Sequence, residues 1–375
     1  MKLLAYYFRL PLRTPYGLSF AMLAHFDTVY VVLEGQGHRG FGEITPLPGY
    51  SWESLDSVRE ELQTMGKELK SGRPLSEVLL TTTTRSPFVA SAVACACETW
   101  EEGEAKAFET PVSQGIPLVA YCGGETPEES RKKGVSLTAE GFRTLKLKVG
   151  RLSPWKESQR IRAVAAAVPA DCRLRLDANQ AYGFEDAMAL CRELEGIEKV
   201  ELLEQPFRSD QWVMHEKLAG KVRVPLMLDE SILSKEDVLR AADCGARFVK
   251  FKLCKHLGMG GSVDVAKTAA EKGMGIVYGN GVQTALGNHL EARVYVHLGL
   301  QRAAETNGFL KLAESPGPHN LHLSEGTLLD DGLGEVGRFM RKTQPIWEAA
   351  LPRGVEEMQS FTRVATSCDG HKHRA

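Results

Sequence analysis

The 375-residue sequence has no excess of either charge: Lys and Arg total 46, Asp and Glu 48, and the formal charge is −2. A chain that grips nucleic acid through phosphate contacts carries a basic surplus, so nucleic acid is not an expected partner. Long apolar runs are missing as well. Nothing approaches the ~18–20 residues of a membrane span, and the opening stretch from Met1 to Arg9 is too briefly apolar for a secretory signal. No membrane partner is expected. The eight cysteines contain no C-x-x-C pair, which removes the common zinc and thiol-redox motifs. A disulfide framework is not expected in so long a chain, and a reducing cytoplasm is the compartment that fits. Low hydrophobicity is absent too: 43% apolar and 25% charged residues are ordinary for a globular fold and exclude a disordered chain.

Glycine is present in mild excess, 36 residues, which suits many tight connections between elements. The length points to two domains or to one barrel with additions. The first part reads as strands, with a β-branched run Thr28–Glu34, a break at Gly35-Gln-Gly37 and a restart at Gly40–Thr45. This pattern predicts a hairpin or meander. Loops are expected at Pro15–Phe20 and Pro46–Trp52, helices over Glu53–Lys70 and Ser86–Glu104. Residues 1–115 are expected to form an α+β unit.

From Ile116 short apolar runs alternate with amphipathic helical stretches. The runs are Ile116–Tyr121, Thr144–Val149, Arg173–Asp177, Val200–Glu204, Pro225–Asp229, Phe248–Leu253, Met274–Tyr278 and Ala303–Asn307. Strands alternating with helices imply βα units and a parallel sheet. Eight units over residues 116–319 predict a closed (β/α)8-type barrel, with a doubly wound open sheet as the alternative. Residues 320–375 lose the rhythm and are expected to pack back on the first unit, ending in a polar, disorder-prone tail.

Acidic residues end three consecutive runs: Asp177, Glu204 and Asp229, each one βα repeat from the next. Strand C-termini converge on the mouth of a barrel, so the three carboxylates point at one place. They repel one another unless a cation sits among them, and an all-oxygen set suits Mg²⁺, with Mn²⁺ possible. Taken singly, each acid could instead cap the following helix. Lys146 and Lys148 lie two apart on one strand and share a face; Lys250 and Lys252 repeat the pattern opposite. Inward lysines in an apolar barrel are costly without a task, whereas outward ones would snorkel between helices. Two lysines facing each other across a cation could move a proton on or off a carbon.

The ordered set Lys146-Leu-Lys148, Asp177-Ala-Asn179, Glu204-Gln-Pro206, Asp229-Glu-Ser231 and Lys252-Leu-Cys-Lys255 resembles the enolase superfamily. More narrowly it is similar to the muconate lactonizing enzyme subgroup. The resemblance implies an α/β fold: a modified TIM-type barrel, (β/α)7β, with an N-terminal α+β capping domain. It implies Asp177, Glu204 and Asp229 as metal ligands, Lys148 and Lys252 as acid and base, and Lys146 beside the substrate carboxylate. Asn179, Glu230, Lys250 and Gln283 fall just behind them. Tyr16, Leu18, Phe20, Tyr50, Trp52, Asn280, Glu305 and Asn307 fall in the segments that set specificity. The implied reaction is Mg²⁺-dependent abstraction of a proton α to a carboxylate through an enediolate. A racemase, epimerase or cycloisomerase heads the list, with an o-succinylbenzoate synthase-like dehydratase as alternative on the strength of Gly42–Gly49, and a non-catalytic binding relative as the third. The expected partners are a small carboxylate and further copies of the chain in a homo-oligomer.

Departures from the family pattern are visible. Gln283 stands where an acid is common, and Lys250 where many relatives have Asn. Asn307 breaks the Asp-x-Asp with which dipeptide epimerases hold an ammonium. The seventh run lacks the His of the mandelate racemase branch. His256 is expected in a loop, and His289 and His297 in packing roles.

Overall fold

Three long antiparallel strands open the chain, β1 (Lys2–Gly17), β2 (Met22–Gly35) and β3 (His38–Ile44), paired as a meander with Leu3 opposite Leu33 and Val31 opposite Gly42. The computed structural model describes residues 1–17, 22–47, 53–279, 282–334, 336, 340 and 343–351. The β2–β3 turn uses Gln36 and Gly37 at φ 53° and 81°, the left-handed pair that matches the twist of a hairpin. Strand β1 extends through Pro15, where a loop is expected from the sequence. The two prolines fit because the β1–β2 register shifts between Pro11 and Tyr16, and prolines are tolerated at such irregularities.

Both faces of this sheet are covered, which is why β2 reads as a nearly continuous apolar run. Leu3, Val29, Val31 and Leu33 pack on helices α1 (Leu55–Lys70), α2 (Leu75–Arg85) and α3 (Pro87–Glu102). Leu4, Tyr6, Tyr30 and Val32 join the larger core of the rest of the chain. Helix α3 lies directly on β3: a Cβ at Gly40 or Gly42 would come within 2.0 Å of Ala96 O and 1.9 Å of Ala92 O. Helix α2 was not expected from the sequence. Its run of threonines opposes helix formation, but Thr81, Thr83 and Thr84 turn their hydroxyls onto carbonyls three residues back.

Strand β4 (Val112–Pro117) leads into a parallel series: β5 (Val119–Tyr121), β6 (Thr144–Lys148), β7 (Arg173–Asp177), β8 (Val200–Glu204), β9 (Leu226–Leu228), β10 (Phe248–Phe251) and β11 (Gly275–Tyr278). They form one seven-stranded sheet in chain order. The connecting helices are α4 (Pro127–Ala139), α5 (Pro154–Ala167), α6 (Phe184–Glu193), α7 (Trp212–Ala219), α8 (Lys235–Asp243) and α9 (Gly258–Glu271), with α10 (Ala285–His297) after β11. The expected run Ile116–Tyr121 is therefore two strands. Pro117, with no N–H, ends β4, and Leu118 N turns to Gly326 O. The eighth run is a single parallel bridge, Leu118 to Ala304, rather than a strand. It nevertheless bonds to both edges of the sheet: Ala304 N to Pro117 O, Val119 N to Ala304 O, and Glu305 N to Tyr278 O, at 2.8–2.9 Å. The result is a modified TIM barrel, (β/α)7β, as expected.

The weak closure is reinforced from inside. Arg175 on β7 is 1% exposed, donates to Ala303 O at 2.7 Å and pairs with Glu201 at 2.7 Å. After the barrel, β12 (Leu321–Ser324) pairs with β13 (Thr327–Asp330), which pairs in turn with β4, and β14 (Trp347–Ala350) adds to the open edge of β1. Two acids join the first sheet and its helices to the barrel. Glu43 on β3 accepts from Thr284 N and Gly287 N at 2.7 and 2.9 Å, capping α10. Glu98 on α3 accepts from Met259 N and Gly260 N, both 2.8 Å, capping α9. No helix among the described residues is long and apolar enough to cross a membrane.

Replacing Arg175 with Met should cost about 3–5 kcal/mol, because a buried acid and a carbonyl lose their partner. Denaturant titration reads this, and a loss under about 1 kcal/mol would show that the barrel closes without it. A pH effect follows from two other acids. Burial pushes Glu53, which accepts from Ser86 Oγ and Phe88 N, and Glu98 up to about 7, against hydrogen bonds that pull them down. Their ordinary value is 4.5, so the folded chain holds these protons to higher pH. The stability they contribute is full below about pH 4.5 and is lost as pH rises through about 7. The unfolding free energy should therefore fall by about 1–3 kcal/mol between pH 5 and 8, and Glu98→Gln should flatten the fall. A profile that Glu98→Gln leaves unaltered would contradict the assignment.

Candidate active site

Lys148, Asp177 and Glu204 stand in register at the C-terminal ends of β6, β7 and β8. Asp229 follows β9, and Lys250 and Lys252 lie on and just after β10. In-register neighbours on parallel strands sit about 4.8 Å apart, so their side chains must meet. They form an alternating row of charges. Lys148 Nζ is 2.7 Å from Asp177 Oδ2, and Lys146 Nζ is 2.7 Å from the same oxygen and 3.0 Å from Glu204 Oε2. Lys250 Nζ is 2.5 Å from Glu204 Oε1 and 3.7 Å from Asp229 Oδ2, which Lys252 Nζ approaches to 2.8 Å. Lys148 and Lys252 are the two ends of the row. Glu305, beyond the closing bridge, accepts from Lys146 and Lys250 at 2.9 Å each.

Lys146, Lys250, Asp177 and Glu305 hold one another in their charged forms. Burial lowers Lys146 and Lys250, but the carboxylates around them outweigh it and both end above the ordinary lysine value. Asp177 and Glu305 are held well below the ordinary carboxylate range by the same lysines, against burial. Glu204 is pulled both ways: burial and then Asp177 push it up, to about 8, against Lys146 and Lys250. Lys252 differs from the other lysines. Burial, and then the charge of Lys255, push it well below the ordinary value.

Supporting side chains fix the row. Asn179 accepts from Lys148 and donates to Glu230 at 3.1 Å; burial and Asp229 push the Glu230 carboxyl up to about 7. Asn179, two residues past Asp177, and Gln205, directly after Glu204, have φ of 41° and 37°, a left-handed backbone that costs energy and is concentrated at functional sites. Gln205 and Lys255 carried no role in the sequence reading. Gln205 Oε1 accepts from Asp229 N at 2.9 Å, and its amide donates to Ser231 Oγ at 2.8 Å. Lys255 Nζ reaches Asp229 Oδ1 and O, both at 2.7 Å. For Gln205 the signal was adjacency to the acid that ends β8; Lys255 lies three residues beyond Lys252, away from any acidic strand end. Lys250 is accommodated by a neighbouring glycine. Gly279 directly follows β11, and a Cβ there would come within 2.7 Å of Lys250 Cδ and 3.1 Å of Lys252 Cε. The missing side chain just past the next strand thus makes room for Lys250.

The other expected residues separate. Tyr16 packs edge-on against Phe26 and, through Lys311 over its ring, faces the barrel. Asn307 donates to Val119 O at 3.3 Å. Gln283 is buried against Gly287 and Gly308 at the start of α10. Leu18, Phe20, Tyr50, Trp52 and Asn280 lie outside the described residues. His256 is buried in a loop, its imidazole pushed down to about 3 by burial and Lys255. His289 ties Asp330 to Ala107 O at 2.8 Å each.

The donor chemistry fits a hard divalent cation. Asp177, Glu204 and Asp229 offer only carboxylate oxygens from three neighbouring strands. Glu204 Oε2 is buried and lies out of line for a hydrogen bond, and Glu230 Oε2 also lacks a donor. Among the described residues, no three such side chains are gathered about one point as they stand; each is drawn to a lysine. A cation would take them over from Lys146 and Lys250.

Comparison with known proteins identifies the family. A family model described as enolase C-terminal domain-like matches residues 130–335, and one described as MenC, N-terminal domain, matches residues 1–113. The chain therefore belongs to the enolase superfamily, as an enzyme of its muconate lactonizing and mandelate racemase-like isomerases and lyases. It is 31% identical over 206 residues to the L-Ala-D/L-Glu epimerase of Clostridium acetobutylicum, matching 51% of this chain and 55% of that one. It is 30% identical over 239 residues to the o-succinylbenzoate synthase of Thermosynechococcus vestitus, 63% of this chain and 70% of that one. The solved N-succinyl Arg/Lys racemase of Bacillus cereus superposes with a TM-score of 0.78 at 21% identity, over 94% of this chain and 99% of that one.

Proposed function

We propose that the chain catalyses Mg²⁺-dependent removal of a proton α to a substrate carboxylate, as a racemase, epimerase or cycloisomerase. The observation that carries this reading is the row itself, with Lys148 and Lys252 at its opposite ends and the carboxylates between. Asp177, Glu204 and Asp229 would hold the cation. Bound there, Mg²⁺ would supply positive charge for the substrate carboxylate and for the enediolate that proton loss creates.

The chain's own residues do the proton work. Lys252, made less basic by burial and by Lys255, suits uptake of a proton at neutral pH. Lys148 is more open, with 36% of its side chain exposed, and is held by Asp177 and Asn179. It would return a proton from the other side of the carbon, and the two exchange roles for the opposite enantiomer. Lys146 lies beside the row to meet the carboxylate. Gln205 and Lys255 fix Asp229 while this happens.

Dehydration of the o-succinylbenzoate synthase type is the second reading. The match of residues 1–113 to a MenC N-terminal model favours it, and one lysine would suffice.

Incubation of the Mg²⁺-loaded protein in D₂O with N-acylamino acids and dipeptides should exchange the α-proton, followed by NMR. Lys148→Ala and Lys252→Ala should each lower exchange about 10²–10⁴-fold, each blocking a different enantiomer. If only one lysine matters and water is lost from a β-hydroxy acid, dehydration is the reaction. No exchange and no dehydration across both sets would refute the catalytic reading.

A further inference from the structure

The two lysines at the ends of the row are held in different ways. Lys252 is buried, with 4% of its side chain exposed, and the turn behind it is tied to α3 by Ser91 Oγ, which donates to Leu253 O at 2.6 Å. Lys148 is more open and stands at the last position of β6. Strand β5 ends at Tyr121, opposite Lys146, so Lys148 pairs with a strand residue on the β7 side alone. A pair of charged side chains on α5 reaches this end of the strand. Arg160 Nη1 donates to Lys148 O at 3.4 Å, and Arg160 Nε donates to Ser130 Oγ on α4 at 3.3 Å. Glu157 pairs with Arg160 at 2.5 Å.

Glu157 also holds the loop that leaves the strand. Its Oε1 accepts from Gly150 N at 3.2 Å and from Leu152 N at 3.1 Å. Gly150 has φ of 97°, and a Cβ there would come within 2.7 Å of Ala181 Cβ. The loop is therefore pressed against the segment that carries Asn179, the acceptor of the Lys148 ammonium. Both Glu157 and Arg160 are buried. A buried ion pair is a costly way to hold a loop, since apolar residues of similar volume often stabilise a fold as well or better. What the pair supplies is direction: the guanidinium fixes the carbonyl of Lys148, and the carboxylate fixes the amides just beyond it.

Resting on the reaction proposed above, we propose that Glu157 and Arg160 are positioning residues for Lys148. They set the place of its ammonium on one face of the substrate carbon and leave Lys252, on the other face, untouched. Neither residue touches substrate or takes a proton from carbon. A misplacement of about 1 Å in a reacting group can cost ~10²-fold in rate, so a backbone shift at the end of β6 is enough. Lys252 does not share these contacts; its own come from Asp229 and from the turn tied to α3. A change on α5 therefore slows proton removal from one enantiomer and spares the other.

In the D₂O exchange assay, Lys148→Ala identifies the enantiomer whose proton faces Lys148. With the N-acylamino acid or dipeptide that exchanges fastest, Arg160→Met should lower kcat for that enantiomer about 10–100-fold, with KM within about twofold and the opposite enantiomer within about threefold. Arg160→Lys should recover part of the loss, because it keeps a donor and the charge. A merely structural role would slow both enantiomers alike. The double variant Glu157→Gln/Arg160→Met removes both charges and strands neither, so it should fold and show the same asymmetry. Acetylation of the metal-free full chain with dilute acetic anhydride, read by peptide mass spectrometry, follows Lys148 and Lys252 without any turnover. Both variants should raise labelling of Lys148 at about pH 8 by about threefold or more, as its ammonium leaves Asp177, with Lys252 unaltered. Equal slowing of both enantiomers, unaltered rates, unaltered Lys148 labelling, or a double variant that fails to fold would each overturn the positioning role. If the intact chain exchanges neither enantiomer, the reaction is refuted, and the labelling alone decides whether the pair positions Lys148.

Discussion

Putting several ammonium groups and carboxylates inside a barrel is the constraint to which the rest of this structure answers. Each ion taken from water costs several kcal/mol, and only close opposite partners repay it. Lys148, Asp177, Lys146, Glu204, Lys250, Asp229 and Lys252 repay it by alternating. Strand register makes the alternation possible, because Lys148, Asp177 and Glu204 stand abreast on adjacent strands. The row is stable as a set and sensitive as individuals, since removing one member strands its neighbours. It is also what a divalent cation would compete with, which ties metal binding to the release of lysines toward a substrate.

The scaffold around the row is adjusted to it. Gly279 gives up its side chain to make room for Lys250 and Lys252. Gln205 accepts a left-handed backbone so that its carboxamide can hold the amides of Asp229 and Ser231. Arg175 ties the closing segment, whose Glu305 pairs with Lys146 and Lys250, to the far side of the barrel. Glu43 and Glu98 cap two barrel helices from the first sheet and its helices. The first sheet and its helices are therefore joined to the barrel by buried hydrogen bonds.

Much of this was legible in the sequence, and the reasons are physical. β7 and β8 end at the residues their apolar runs indicate, because an acid at a strand C-terminus marks the point where the barrel opens to water. The Lys-x-Lys spacing carried the direction of the side chains. What stayed hidden depended on partners distant in sequence. The eighth run could not be known as a single bridge, since its hydrogen bonds go to Pro117, Val119 and Tyr278. The threonines of α2 speak against a helix until their hydroxyls are seen on its own carbonyls. Lys255 and Gln205 sat inside quoted motifs without a task.

The proposed reaction depends on the carboxylate row holding one divalent cation at the reacting end of the barrel. Titration of the chain with Mn²⁺, followed by electron paramagnetic resonance, tests that directly. The prediction is one Mn²⁺ per chain, displaced by Mg²⁺, and lost in Asp177→Asn and Glu204→Gln while Glu43→Gln, remote from the row, still binds. Failure of the intact protein to bind Mn²⁺, or equal binding after both ligand substitutions, would contradict it.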